Sequence, residues 1–209
     1  MMVSALIERE LTRIGTPVRY GVFVAVVGPS GAGKDTLIAY VRERLGDEDH
    51  VEFARRVITR HSDGATEDHD TLADAAFVEA EEAGAFALSW EAHGLRYGIP
   101  AAVDDAIANG QVVVANTSRG VIPALRARYA NVAVVEITAS PEVLATRLAA
   151  RGRESRGEVL ARLARTAPHD LSGPGHVQID NSGVPEIAGD KFLAVLRKAV
   201  AHADVSGLV

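Results

Sequence analysis

Apolar residues along this 209-residue chain fall into two rhythms. Continuous runs such as VFVAVV (22–27), QVVVA (111–115) and NVAVVEIT (131–138) read as strands buried on both faces. VEFARRVIT (51–59), AFALSW (85–90) and HVQID (176–180) are further strand candidates. Between them the spacing turns helical. Leu37, Ile38, Val41 and Leu45 mark one helix face that Gly46 can end. TLADAAFVEAEEAG (71–84) reads as a helix closed by its glycine, and PAAVDDAIANG (100–110) has a proline start and a glycine stop. SPEVLATRLAARG (140–152) offers Ser140 as N-cap with Pro141 at the first helical position, and a long helix begins near Pro185.

Strands alternating with helices predict an α/β fold, a mainly parallel sheet with helices on both faces. Val3, Leu6, Ile7, Leu11 and Ile14 recur at helical spacing, so residues 1–20 are expected to form an amphipathic helical extension. Residues 21–209 are then a single domain, with no internal repeat and no dividing linker.

Composition narrows the function. At 47% hydrophobic and 24% charged residues, the chain can bury a core rather than remain disordered. A net charge of -6 argues against a generic nucleic-acid binder. Without cysteine, disulfides, thiolate metal sites and cysteine nucleophiles are excluded. No apolar run reaches membrane-spanning length and no signal peptide is evident, so a cytoplasmic location is expected.

The chemistry concentrates after the first buried strand. Gly28-Pro29-Ser30-Gly31-Ala32-Gly33-Lys34 matches the phosphate-cradling loop, but Asp35 stands where a hydroxyl is usual, with Thr36 one residue late. Glycines let backbone N–H groups wrap phosphate oxygens, the helix N-terminus adds a positive dipole, and Lys34 brings a mobile cation. A carboxylate beside a triphosphate is repelled by roughly 4 kcal/mol at 4 Å and a dielectric of 20. Asp35 therefore fits as a Mg²⁺ ligand, or else as a first-turn acid that favours the helix dipole. Enzymes with such loops often hold magnesium with an aspartate at a neighbouring strand end, where this chain has neutral Asn116. On the first reading the acid has moved from strand end to loop.

Arginines supply the second cluster. Arg147 and Arg151 lie four apart on one helix face, and Arg153 follows within an arginine-rich stretch spanning about 147–165. A closing lid that neutralises charge and excludes water needs such guanidinium forks; a solvated helix pair is the plainer reading. Arg56 and Arg60 lie in and just beyond the second strand, SWEAHGLRYGIP (89–100) carries Trp90, His93 and Tyr97, and Ser118 and Arg119 follow a buried strand. Together they suggest an anion-binding acceptor pocket at the carboxyl edge of the sheet.

The order of these motifs resembles the nucleoside-monophosphate-kinase-like group of P-loop kinases, guanylate kinase in particular. The details are most similar to the ribose 1,5-bisphosphate phosphokinase family of the PhnN type. They are GPSGAGKD, R-x-I-T-R at 56–60, A-L-S-W-x-A-H-G-L-x-Y-G at 87–98, N-x-S-R at 116–119, RLAARGRES, and I-D-N-S-G at 179–183. The likeness covers roughly residues 22–184. Where guanylate kinase has a base-reading glutamate before the tryptophan, this chain has Ser89, which fits an acceptor without a base.

The resemblance implies ATP- and Mg²⁺-dependent phosphorylation of ribose 1,5-bisphosphate to 5-phosphoribosyl 1-diphosphate (PRPP) and ADP, in phosphonate catabolism. It places Lys34 and the loop on the triphosphate, Asn181 and Gly183 beside the adenine, and Arg147, Arg151 and Arg153 in the lid. Arg60, Tyr97 and Arg119, with Ser118, Arg56 and His93, would hold the acceptor phosphates. The alternatives are another small-molecule kinase, guanylate kinase included, or a silent guanylate-kinase-like module that binds protein partners.

Overall fold

The computed structural model describes residues 21–46, 50–59, 69–150 and 171–206. The N-terminal helix expected over 1–20, Arg60, Arg151, Arg153 and the rest of the lid stretch beyond residue 150 lie outside the described residues.

A five-stranded parallel sheet carries the fold, in the order β2-β7-β1-β8-β9. Its strands are β1 (Val22–Val27), β2 (Val51–Phe53), β7 (Val112–Asn116), β8 (Val132–Thr138) and β9 (His176–Asp180). β1 lies at the centre, and all six of its residues are buried because each face is covered. Val22, Val24 and Val26 face one core, with Leu37, Val41 and Leu45 of α1 (Lys34–Leu45) and Phe192 and Leu196 of α6 (Pro185–Ser206). Phe23, Ala25 and Val27 face a second core, with Val103 and Ile107 of α3 (Ala102–Ala108) and Ile122 and Leu125 of α4 (Ile122–Arg128). The period of two along one strand thus builds both layers. α5 (Pro141–Ala149) begins as the sequence predicts: Ser140 Oγ accepts the Val143 N–H at 3.3 Å, with Pro141 next.

A second, mixed sheet was not legible as such. It runs β4-β3-β6-β5, from β3 (Arg56–Ile58), β4 (His69–Thr71), β5 (Phe86–Ala92) and β6 (Leu95–Pro100). The single strand expected over 51–59 divides at Ala54-Arg55, so its first half joins the parallel sheet and its second half this one. The helix expected over 71–84 is α2 (Asp74–Glu82), its start displaced because residues 69–71 pair with β3. β5 and β6 form a hairpin whose two turn residues, His93 and Gly94, have φ of 54° and 72°. Two positive φ angles in a two-residue connection give the turn that matches strand twist.

Candidate active site

The glycine loop follows the carboxyl end of β1, in the middle of the parallel sheet, where α/β folds place their ligands. Gly28 has φ +142°, and a Cβ there would lie 2.1 Å from the Ile137 carbonyl oxygen of β8, so only glycine fits. Gly33 has φ +91°, and its Cβ would meet Asn181 Nδ2 at 2.5 Å. The loop is pinned between β8, α5 and the turn after β9.

Lys34 opens α1 and folds back over the loop, Nζ donating to the carbonyls of Gly28 at 2.9 Å and Pro29 at 3.1 Å. Its ammonium is thereby held on the loop while remaining part-exposed. Asn181 is buried and donates through Nδ2 to the Ala32 carbonyl at 2.7 Å. The Arg147 guanidinium reaches the same place from α5, with Nη2 donating to Asn181 O at 2.9 Å and Nη1 near the carbonyls of Gly31 and Ala32, both at 3.4 Å. Arg147 therefore braces the outer side of the loop. Asp180 Oδ1 accepts from the N–H and hydroxyl of Ser182, and Ser182 Oγ accepts the Ser140 N–H at 2.8 Å, tying the β9 turn to α5. Gly183 is exposed beyond this clasp.

Replacing Arg147 tests the brace. Arg147→Ala is expected to cost about 1–2 kcal/mol, read as a lower urea midpoint, because two sets of loop carbonyls lose a charged donor. Arg147→Lys should recover less than half of that loss, since an ammonium cannot span both with a planar fork.

Asp35 meets Asn116 directly. Asn116 ends β7, opposite Val26 of β1, and its Nδ2 donates to Asp35 Oδ1 at 2.6 Å. Asn116 is 6% exposed, and its Oδ1 finds no hydrogen-bond partner, as is true of the neighbouring Thr117 Oγ1. Two orphaned polar atoms at this edge mark a place for ordered water or ligand. Arg56 approaches from β3, its Nη2 3.8 Å from the same Asp35 oxygen. The Arg56 guanidinium also sits 6.0 Å over the Tyr97 ring, and Tyr97 stacks on Trp90 at 5.3 Å with an interplanar angle of 6°. Loop, strand-end asparagine and second sheet thus converge on one carboxylate.

Other predicted residues stand differently. Ser118 caps the short helical turn Arg119–Val121 by accepting the Gly120 N–H at 3.3 Å, beside the end of β7. Arg119 is half-buried there, whereas Thr36 is exposed on α1. His93 is exposed at the hairpin tip, where its backbone conformation makes the turn. Ser89 lies across from Gly98 in the hairpin register, one residue out of phase with Trp90 and Tyr97. Its hydroxyl is hydrogen-bonded to Glu81 of α2, away from the Arg56–Tyr97 face. Arg96, opposite Glu91, adds ion pairs to Asp74 and Glu81 on that same side. The sequence reading missed this α2 network, whose partners join through a register that no short motif records.

Magnesium can be tested against these donors. Among the described residues no group of three or more His, Asp or Glu side chains could hold a metal ion. A cation here would share Asp35 with nucleotide phosphates and water, the usual way magnesium is bound beside a triphosphate. The 43% exposed Asp35 side chain, engaged through Oδ1 only in the contacts above, fits that role.

Comparison with known proteins agrees with the geometry. The AAA domain family matches residues 24–162, a span that starts in β1 and includes the glycine loop. Guanylate kinase from Anaplasma phagocytophilum has the same fold, with a TM-score of 0.61 at 18% identity over 86% of each chain. A ribose 1,5-bisphosphate phosphokinase PhnN from Chelativorans sp. (strain BNC1) is 54% identical over all of both chains. The chain belongs to the ribose 1,5-bisphosphate phosphokinase family. A member from Rhizobium etli (strain CIAT 652) is 46% identical, covering 90% of this chain and 95% of its own. Membership makes this a P-loop kinase of small molecules. Among the described residues no helix is long and apolar enough to cross a membrane.

Proposed function

We propose that the chain transfers the γ-phosphoryl group of ATP to the 1-phosphate of ribose 1,5-bisphosphate, forming PRPP and ADP. The observation that carries this reading is the convergence of Arg56, on its Tyr97–Trp90 platform, with Asp35 at the head of α1. An anion-binding surface on the second sheet thereby abuts the phosphate loop.

The acceptor oxygen belongs to a phosphate already ionised at neutral pH, so no general base is needed. A new P–O bond forms from that oxygen to the γ-phosphorus as the bond to the ADP oxygen breaks. The protein's task is positioning and charge neutralisation. Backbone N–H groups of residues 30–33 cradle the donor, and Lys34 moves from the loop carbonyls onto its β and γ phosphates. Asp35 would hold Mg²⁺, which offsets phosphate charge. Arg56, Tyr97, Ser118 and Arg119 grip the acceptor, with Arg60 and His93 as further candidates. Arg147 steadies the loop and opens the lid segment that would carry Arg151 and Arg153. Asn181 and Gly183 border the nucleoside end. The N-terminal 20 residues are proposed as an appended helix, and the pathway served as phosphonate breakdown.

Phosphorus NMR of the purified protein with ATP, Mg²⁺ and ribose 1,5-bisphosphate tests the assignment, with GMP as a parallel acceptor. A new sugar diphosphate signal is expected in the first tube alone. GDP in the second would overturn it in favour of a guanylate kinase, and no product in either would favour a silent module.

A further inference from the structure

Asp35 sits at the head of the loop helix, yet its Oδ1 also lies 3.8 Å from Arg56 on the second sheet. The Arg56 side chain is only 12% exposed, against 43% for Asp35. A guanidinium so nearly dry keeps a counter-charge close, because its lost hydration has to be replaced. Asp35 supplies one from the donor side. An acceptor phosphate would supply the same charge from the other, so carboxylate and phosphate compete for one cation. Asn116 fixes the carboxylate within reach of both, through its 2.6 Å bond to Oδ1. The face of the Tyr97 ring holds the guanidinium at the border, 6.0 Å from the ring centre.

We propose that Asp35 is a positioning residue that couples the two substrates. It retains Arg56 in an ion pair while the donor site is empty, and yields it to the acceptor phosphate once the nucleotide's cation engages the carboxylate. The inference rests on the phosphotransferase reading above and adds an order to it, donor before acceptor. Such an order protects against futile capture: the acceptor grip forms fully only where a phosphoryl donor is in place. By thermodynamic linkage the effect is reciprocal, each substrate tightening the other by the same factor.

Calorimetric titration of ribose 1,5-bisphosphate, with and without ADP and Mg²⁺, reads the coupling directly, because ADP has no γ-phosphoryl group to transfer. In the wild type the nucleotide should tighten ribose 1,5-bisphosphate binding by roughly tenfold, a typical coupling between linked sites. In Asp35→Asn the nucleotide-free affinity should rise, since Arg56 is no longer held back, and the nucleotide effect should shrink to about twofold or less. Arg56→Gln moves in the opposite direction: ribose 1,5-bisphosphate binds more weakly in both conditions and the coupling disappears. The opposite signs separate ion-pair release from general damage, and thermal unfolding of each variant checks its fold. Should Asp35→Asn not fold, Arg56→Gln alone still decides through its loss of coupling. Equal tightening in wild type and Asp35→Asn would overturn the proposal, as would no tightening in the wild type. Wild-type PRPP formation, assayed beside it, keeps the two readings apart. Product without coupling removes this inference only, whereas no product removes the functional assignment.

Discussion

Lys34→Ala is expected to lower kcat by at least about 10³-fold while leaving the fold in place, the scale at which a transition-state cation is lost from phosphoryl transfer. The reason lies in the resting position of the ammonium. Its bonds to Gly28 O and Pro29 O, 2.9 and 3.1 Å long, keep a positive charge on the loop that a triphosphate can recruit. Truncation leaves phosphate charge without its mobile counter-ion, and backbone N–H groups, which carry no net charge, do not replace it. The structural cost is smaller, because the loop is also held by Arg147 and Asn181. Two charge-assisted hydrogen bonds to part-exposed carbonyls are worth about 1–2 kcal/mol net, hence a Tm lower by under about 8 °C. Steady-state kinetics with thermal unfolding separates the two effects. A variant that keeps more than a tenth of wild-type kcat would remove Lys34 from the catalytic set.

The parallel sheet and its loop were legible because their signals are local. VFVAVV is apolar throughout since β1 is covered on both faces, and the glycine pattern follows without a gap. Ser140-Pro141 marks the start of α5 through hydrogen bonding within one turn. The second sheet lacked such cues. β3 and β4 have three residues each, and Ala54-Arg55 divides two strands without a glycine or proline to announce it. The W-x-A-H-G-L-x-Y-G block was read for side chains that bind, and its first use is architectural. His93-Gly94 turns the hairpin, and the close approach of the Phe86 ring, 2.6 Å from a would-be Cβ, requires Gly98. Turn chemistry and anion recognition draw on the same residue types, so the sequence pattern alone does not separate them.

Long-range contacts were the other limit. Asp35 and Asn116 are 81 positions apart, and their meeting depends on β7 pairing with β1 so that Asn116 falls opposite Val26, two residues before the loop. The sequence suggested that the two positions exchange roles; only the register brings them within a hydrogen bond. Arg56 joins them because the chain leaves the parallel sheet after β2 and enters the second sheet at β3. Arg147 was expected at the lid's catalytic edge, and the structure adds a contact that helical spacing does not encode, its fork on loop carbonyls and Asn181.

That register makes the exchange of acid and amide testable by swapping them. Asp35→Ser should shift the magnesium titration of activity upward by at least about tenfold, because the carboxylate at the head of α1 is gone and a serine hydroxyl is a weaker, neutral ligand. Asn116→Asp alone sets a second carboxylate where an amide now donates at 2.6 Å. Two like charges at that range repel by roughly 4 kcal/mol or more at an effective dielectric of 20, and the donor that held Asp35 is lost with them. The single variant should therefore unfold at lower temperature than wild type without magnesium, and gain more than wild type on adding it, since a divalent cation between the carboxylates removes the repulsion. The double variant Asp35→Ser, Asn116→Asp restores one acid and one neutral hydrogen-bonding group across the same gap. Its magnesium titration should return to within about threefold of wild type, the non-additivity expected of residues in direct contact. An unchanged titration in Asp35→Ser would mean that the first-turn acid serves the helix dipole alone. Failure of the double variant to recover would place the metal-binding geometry in the loop itself, with Asn116 as its hydrogen-bonded support.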